Sequence, residues 1–416
     1  MSLAVTDAVL EGRVIGIRAE DGLIAEIGEG VRPRQGDALI EAGGMPAVPG
    51  LVNAHTHAAM TLLRGHGDDL PLSEWLEEKI WPAEARLEAE DVYWGTRLAC
   101  LEMIRSGTVG FWDMYWHPEA TARAVADAGV RATIGAPLID LGAAADGAGL
   151  RESATRSIEE LSGAEGLISP ALAPHALYTV SGESLSWIAE RAEADSLPIH
   201  IHLSETEEEV ERCLHEHGKR PAAYLDAHGV LGPRTLLAHG TWLDDDELDL
   251  IAERGATLVS NPVANMKLAV GRVFPLDAAI ERGIPVGLGT DGAASNNSLD
   301  LFADMKALAL IQKHAARDAA AAPAPLIWSI ATGARSPLLG SSGRLAPGEP
   351  ADFLLLHAET PWLALGELET GLVYGASGEI VDTTVVAGRP VMRGREVADA
   401  PEILAEVRER ARRLRD

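Results

Sequence analysis

Short apolar runs alternate with amphipathic stretches along most of this chain, and the alternation is regular enough to predict its elements. Strand-sized, β-favouring runs fall at about 49–54, 107–113, 131–138, 167–173, 197–203, 235–239, 256–261 and 284–290, and they end in polar residues. Between them lie helix-patterned segments such as EAEDVYWGTRLACLEMIRS (88–106), SLSWIAERAEA (184–194) and DDDELDLIAERG (244–255). The last has acidic residues in its first turn and ends in Arg-Gly, which are good start and stop signals for a helix. Eight such repeats across roughly 300 residues predict an α/β fold, a (β/α)8 TIM-type barrel over residues 49–346. A doubly wound open sheet is the main rival, but it would not gather polar residues from nearly every strand end into one cluster.

The ends of the chain have a different texture. Residues 4–47 and 351–394 show short alternating strands with glycine turns. Both read as hairpins of one small β-sandwich, assembled from residues 1–48 plus 347–400, with the barrel inserted between them. Residues 401–416 form a predicted C-terminal helix with arginines toward its end, expected to be a solvated face favoured by the helix dipole.

Composition narrows the classes. A length of 416 residues suits one large domain plus a smaller one. With 35 basic and 63 acidic residues the net charge is −28, which argues against nucleic acid or an anionic membrane as partner and is explained by solubility alone. The apolar runs are strand-sized, far below a membrane span. The opening MSLAVTDAVLEG lacks a basic region followed by an apolar core, so no secretory signal is expected. The two cysteines, Cys100 and Cys213, both fall in helix-like segments, which fits a reducing cytoplasm rather than a disulfide framework. A homo-oligomer is compatible with all of this.

Candidate chemistry sits at the strand ends. VPGLVNAHTHAAMTLLRG (48–65) places His55 and His57 two residues apart directly after an apolar strand, so both imidazoles face one space. Later strands end in Asp113, His175, His202 with Glu205 three residues on, His239, and Asp291. In a barrel of this type the C-terminal strand ends form the active-site face. His55, His57, His202 and Asp291 form a candidate set of ligands for one divalent metal, with water at the open position. Zinc leads the candidates, and iron, manganese and nickel are the alternatives. His200 is expected to face the same way as His202 but deeper in the barrel.

The pattern resembles the amidohydrolase superfamily over nearly the whole chain. More narrowly, PGLVNAHTH, DDLPLSEWLEEKIWPAEARL (68–87), IHLSETEEE, SNPVANMKL and GTDGAASNNSLD are similar to the methylthioadenosine/S-adenosylhomocysteine deaminase branch, which lies near guanine deaminases and triazine chlorohydrolases. The HxH pair is shared by the whole superfamily, whereas the 68–87 stretch together with GTDGAASNN is much more specific. The resemblance implies a small-molecule nucleoside substrate and hydrolytic release of ammonia from an aminopurine.

Residue types supply a mechanism for that reaction. A divalent metal makes hydroxide available at neutral pH. Glu205 is the candidate to take the water proton and deliver it to a ring nitrogen. His239 would orient the hydroxide, Asp291 would help carry a proton to departing ammonia, and His175 would hydrogen-bond the ring. The acidic run from Glu207 to Glu211 is expected to be surface, leaving Glu205 as its functional neighbour. The resemblance further implies that Glu84 binds ribose hydroxyls, and Trp75 and Trp81 are candidates for a lid or pocket wall. Two-metal members of the superfamily carry a modified lysine after strand four, and LAPHALYT has none, so one metal is expected.

Departures from the branch pattern bear on substrate. Ser260-Asn261-Pro262-Val263-Ala264-Asn265 stands where branch members often have His-Asn-Pro-x-Ser-Asn. After strand three the chain reads TIGAPLIDLGAAADGAGLR, with Arg151 the sole cation to meet the carboxylate of S-adenosylhomocysteine. Methylthioadenosine or adenosine is therefore favoured. The alternatives are action on another ring, such as guanine, a pterin or a triazine, and a catalytically inactive scaffold.

Overall fold

A computed structural model describes residues 2–141, 146–163, 167–357 and 359–415. Eight parallel strands run through its middle. They are β1 (Leu51–Thr56), β2 (Thr108–Met114), β3 (Arg131–Gly135, resuming as Pro137–Leu138) and β4 (Ile168–Pro170, resuming as Ala173–Pro174). The others are β5 (Ile199–Leu203), β6 (Thr235–His239), β7 (Thr257–Ser260) and β8 (Val286–Leu288). Strands β1 to β4 pair in that order, and so do β5 to β8.

Two seams join the halves. Between β4 and β5, the His200 N–H donates to the Leu172 carbonyl at 2.9 Å. Between β8 and β1, the Asp291 N–H donates to the His55 carbonyl at 3.0 Å. The strands thus close into the expected TIM-type barrel, with intervening helices such as Ala89–Arg105, Gly182–Asp195 and Asp245–Arg254 lying close to the predicted segments. Asp244 and Glu247 form a reciprocal capping box at the start of the last of these, and Gly255 ends it in a left-handed conformation (φ 73°).

Val52, Ala54, Trp112, Leu236, Val259 and Leu339 form a cluster of their own beside the larger core. Trp112 meets His200 edge-on at 5.8 Å between ring centroids. His200 therefore stands between this apolar layer and the strand ends.

The chain ends form two further four-stranded sheets. One orders its strands Leu23–Gly28, Arg13–Glu20, Ser2–Leu10 and Ala38–Glu41, and the other Arg389–Met392, Val381–Val386, Phe353–Leu356 and Ala47–Pro49. Leu3, Val5, Ile17 and Ile40 of the first share one hydrophobic core with Ala47, Phe353, Leu355 and Val385 of the second. The C-terminal portion is not all hairpin: a short helix, Leu368–Tyr374, separates two of its strands and buries Leu372 and Val373.

The C-terminal helix, Ala400–Arg415, departs further from expectation. Ile403, Val407 and Leu414 are buried in a cluster with Trp75, Ile80, Ala83 and Tyr115, and each such aliphatic side chain contributes about 1.5–3 kcal/mol. Two of its arginines are not merely solvated. Arg410 pairs with Asp91 at 3.1 Å and Arg413 pairs with the same carboxylate, which is fully buried. Asp91 also accepts the Glu88 N–H at 2.9 Å, so it caps the helix Ala89–Arg105 while anchoring the last one. The reason is register: the apolar stripe that docks the helix also turns these arginines toward Asp91.

Burial alone would raise the Asp91 pKa, but its arginine partners and the cap hold it below the ordinary carboxylate value. A depressed carboxyl adds stability above its unfolded pKa of about 3.9 and loses it as pH falls through the folded value. Asp91→Asn is therefore expected to lower thermal stability at pH 7 by about 1–3 kcal/mol. The gap to the parent protein should narrow as pH falls below the unfolded value of about 3.9 and through the depressed folded one. Melting curves across pH check this; a gap that stays constant with pH would mean the charge of Asp91 contributes nothing.

Candidate metal centre and active site

Donors from four strand ends converge in two overlapping groups that share His55: His55, His57 and Asp291, and His55, His202 and His239. The Nε2 atoms of His55 and His57 lie 3.3 and 3.2 Å from Asp291 Oδ1. The Nε2 of His202 lies 3.3 Å from that of His57. Donors held at 2.0–2.1 Å around a tetrahedral ion stand about 3.3–3.4 Å apart, and these three separations have that length. His55 Nε2 is buried without a hydrogen-bond partner, as a ligand atom awaiting a cation would be. A ring nitrogen of His239 also lies within 4.8 Å of those of His55 and His202.

The opposite edge of each ring explains the aim. His57 Nδ1 is 2.6 Å from the Met114 carbonyl, and His202 Nδ1 is 2.7 Å from the His175 carbonyl. Since a carbonyl only accepts, both Nδ1 atoms carry the proton and both Nε2 lone pairs face inward. His55 Nδ1 is 2.7 Å from His200 Nε2, so the deep histidine orients the first ligand. Asn265 Oδ1 holds His239 Nδ1 at 2.8 Å. The Ser295 hydroxyl donates to Asp291 Oδ2 at 2.6 Å, leaving Oδ1 for the imidazoles. Asn265 and Ser295 stand in the SNPVANMKL and GTDGAASNN segments, but nothing in their spacing revealed these roles.

Backbone geometry at the strand ends is strained. Ser204, His239 and Asp291 are left-handed, with φ of 48°, 73° and 63°, at a cost of about 1–2 kcal/mol per non-glycine residue. The seam bond from the Asp291 N–H to the His55 carbonyl helps hold Asp291 there. Gly289 permits the close approach beside Asp291, since a Cβ on it would meet Asn261 Oδ1 at 2.4 Å and His55 Cβ at 2.9 Å. Asp113, the polar end of β2, stays out of the cleft. It accepts the Ala58 N–H at 2.7 Å and so fixes the turn after His57.

The cluster forms the floor of a cleft of about 700 Å³, mouth included. Glu205, His175, His239, Glu84, Trp75 and Trp81 all line it. Burial raises the Glu205 pKa, with His239 pulling it back; His239 Nδ1 is 3.7 Å from Glu205 Oε1. Burial lowers His175 to about 4, so it is neutral at pH 7. Burial would raise Asp291 too, but the facing His55 and His57 hold it well below the ordinary value. Glu84 is raised by burial and accepts the Trp116 indole N–H at 3.2 Å. Leu72, Leu76, Ile139 and Leu268 complete an apolar outer wall.

Two expectations change here. The run from Glu207 to Glu211 is not all surface: Glu209 is 5% exposed and accepts the backbone N–H groups of Ser204 and Glu205. Arg151 is not among the residues lining the cleft; it pairs with Glu183 and stacks over Trp187 at 6.0 Å. The Gly/Ala loop at 140–150 lies partly outside the described residues; of its described part, Asp140 accepts from Ser181 and Ser184.

A parallel barrel with polar side chains converging at the carboxyl ends of its strands has the layout of a barrel enzyme. A family model described as the amidohydrolase family matches residues 47–391, and the chain belongs to that family. It is 48% identical over 410 residues to the 5'-deoxyadenosine deaminase of Methanoregula boonei, covering 96% of this chain and 92% of that protein. It is 44% identical over 384 residues to the 5-methylthioadenosine/S-adenosylhomocysteine deaminase of Moorella thermoacetica, covering 90% and 89%. The solved structure of an adenosine deaminase from Xanthomonas campestris with bound zinc superposes with a TM-score of 0.92 at 33% identity, covering 100% of this chain and 98% of that one.

Elemental analysis of the purified protein is expected to return close to one divalent ion per chain. His200→Leu should weaken metal retention by about 10–100-fold, the usual effect of removing a group that orients a ligand. Dialysis against a chelator series, followed by elemental analysis, measures both. Unchanged retention in the variant would remove His200 from this role, and two tightly held ions would overturn the single-metal reading.

Proposed function

We propose that this protein is a single-metal hydrolytic deaminase of adenosine-type nucleosides. The observation that carries the reading is the donor cluster at tetrahedron-edge distances beside a buried carboxyl, Glu205, on the floor of an aromatic-walled cleft. His55, His57, His202 and Asp291 would hold the ion. When bound, a divalent cation in such a set supplies Lewis acidity that brings the pKa of a water close to 7.

The remaining work falls to side chains. Glu205 takes the proton of the attacking water and delivers it to the ring nitrogen next to the amine-bearing carbon. His239, held from behind by Asn265, orients the attacking oxygen. Asp291 relays a proton to the amino group, which departs as ammonia, and His175 hydrogen-bonds the ring. Glu84 accepts from the ribose hydroxyls, a role supported by its half-buried carboxylate on the cleft wall. Trp75 contributes an apolar wall to the same cleft.

The charged side chains among the described lining residues are acids and histidines, with no arginine or lysine. The outer wall of Leu72, Leu76, Ile139 and Leu268 suits a small apolar 5' substituent. We therefore assign 5'-methylthio- and 5'-deoxyadenosine, with adenosine itself, as substrates ahead of S-adenosylhomocysteine. Deamination of a free base such as guanine is the second reading, and Glu84 disfavours it because a base has no ribose. The same proposal divides the chain into a β-sandwich (1–48 plus 347–400), a catalytic barrel (49–346) and a C-terminal helix (401–416). The shared core of the two terminal sheets supports the first of these. Among the described residues no helix is long and apolar enough to cross a membrane.

Glu205→Gln should keep its metal and its melting temperature but lose about 10²–10⁴-fold in kcat. Near-normal turnover would move the proton work to Asp291 and His239. An ammonia-release panel over 5'-methylthioadenosine, 5'-deoxyadenosine, adenosine, S-adenosylhomocysteine, adenine and guanine tests the substrate class, and a preference for a free base would overturn it. Glu84→Ala should lower kcat/KM for nucleosides by about ten- to a hundredfold, the loss of one charged hydrogen bond. An equal loss on free bases would make Glu84 structural.

A further inference from the structure

Glu209 belongs to the first turn of the helix Glu207–His217. Its neighbours Glu207, Glu208 and Glu211 are exposed, yet its own side chain turns inward and is 5% exposed. The local sequence Thr206-Glu-Glu-Glu209 is a capping-box signature, in which the fourth residue would bond the Thr206 N–H. Half of that box is present: Thr206 Oγ1 accepts the Glu209 N–H at 3.2 Å. The Glu209 carboxylate, however, reaches past Thr206. Its Oε1 accepts the Ser204 N–H at 2.9 Å and its Oε2 accepts the Glu205 N–H at 2.8 Å.

These two N–H groups need an acceptor. Ser204 is left-handed (φ 48°), and this turn carries the chain out of β5 toward the helix. Successive N–H groups in such a turn point together and form a nest for an anion. On the other side, the Thr241 hydroxyl lies 2.6 Å from the Glu205 carbonyl and 3.2 Å from the Ser204 carbonyl. The peptide that carries Glu205 is thus held by its donors and by its acceptors.

We propose that Glu209 is a positioning residue for Glu205: its carboxylate locks the strained Ser204–Glu205 turn so that the Glu205 carboxyl is directed at the reacting atoms. The geometry requires both oxygens to accept. A glutamine at 209 would set an amide N–H against one of the backbone N–H groups, with little change in volume. The proposal rests on Glu205 as the proton carrier.

A double-mutant cycle separates positioning from general stability. Glu209→Gln is expected to lower kcat by about 10–100-fold, a part of the acid–base contribution, while KM stays within about threefold and metal content is unchanged. In a Glu205→Gln background the same change should cost no further turnover, because there is no longer a carboxyl to aim. Thr241→Val, which releases the clamp from its other side, should likewise lower kcat in the parent protein and cost nothing further in the Glu205→Gln background, and it keeps the test alive should the Glu209 variant fold poorly. Wild-type kcat in Glu209→Gln and Thr241→Val, or losses that multiply with that of Glu205→Gln, would overturn the proposal and leave Glu205 in place. Full activity in Glu205→Gln would instead remove the acid–base assignment, and the role of Glu209 with it.

Discussion

Three imidazole nitrogens and a carboxylate oxygen, packed within 3.2–3.3 Å of their neighbours, are the constraint around which this molecule is organised. Side chains free to rotate would not stay so close, because inward lone pairs repel and each donor loses its water. Each has to be held from behind. Met114 and His175 supply backbone carbonyls, His200 a ring and Ser295 a hydroxyl. Such holding needs rigid strands on every side, and a closed barrel supplies them. The left-handed residues at 239 and 291 are the local strain that convergence brings, offset by the hydrogen bonds and packing that hold them.

A second layer of dependence concerns carboxyl groups. Glu205 and Glu84 share one cleft, and burial raises both above ordinary values. Asp291, equally buried, is pushed the other way by the imidazoles that face it. The same side-chain chemistry therefore yields carboxyls shifted in opposite directions within one cavity, and the difference lies in what each carboxyl faces. Glu209, outside the cleft, faces backbone N–H groups and acts on neither substrate nor metal.

Much of this was legible in the sequence because strand periodicity and terminal polarity are local signals. The eight strands lie close to their expected positions, and His55, His57, His202, His239, Glu205 and Asp291 come together as the pattern implied. What stayed hidden was non-local or carried by the backbone. Any residue offers a carbonyl, so nothing marked Met114 or His175 as the acceptor behind a ring. Glu209 looked like one more solvated acid, since helical spacing alone does not show that a strained turn packs against the first helical turn. The terminal arginines find Asp91 more than 300 residues upstream, a pairing no window could reveal.

The docking of the C-terminal helix has a consequence for the order in which the molecule is completed. Ile403, Val407 and Leu414 back the same cluster as Trp75, Ile80 and Tyr115, which line the cleft. Chains emerge from the ribosome N-terminus first, so the donor histidines and both catalytic acids are made well before the residues that brace the cleft wall. The strand Ala47–Pro49 likewise waits for its partner, Phe353–Leu356. A nascent chain therefore lacks the side chains that back this wall until residues 403–414 are free of the ribosome.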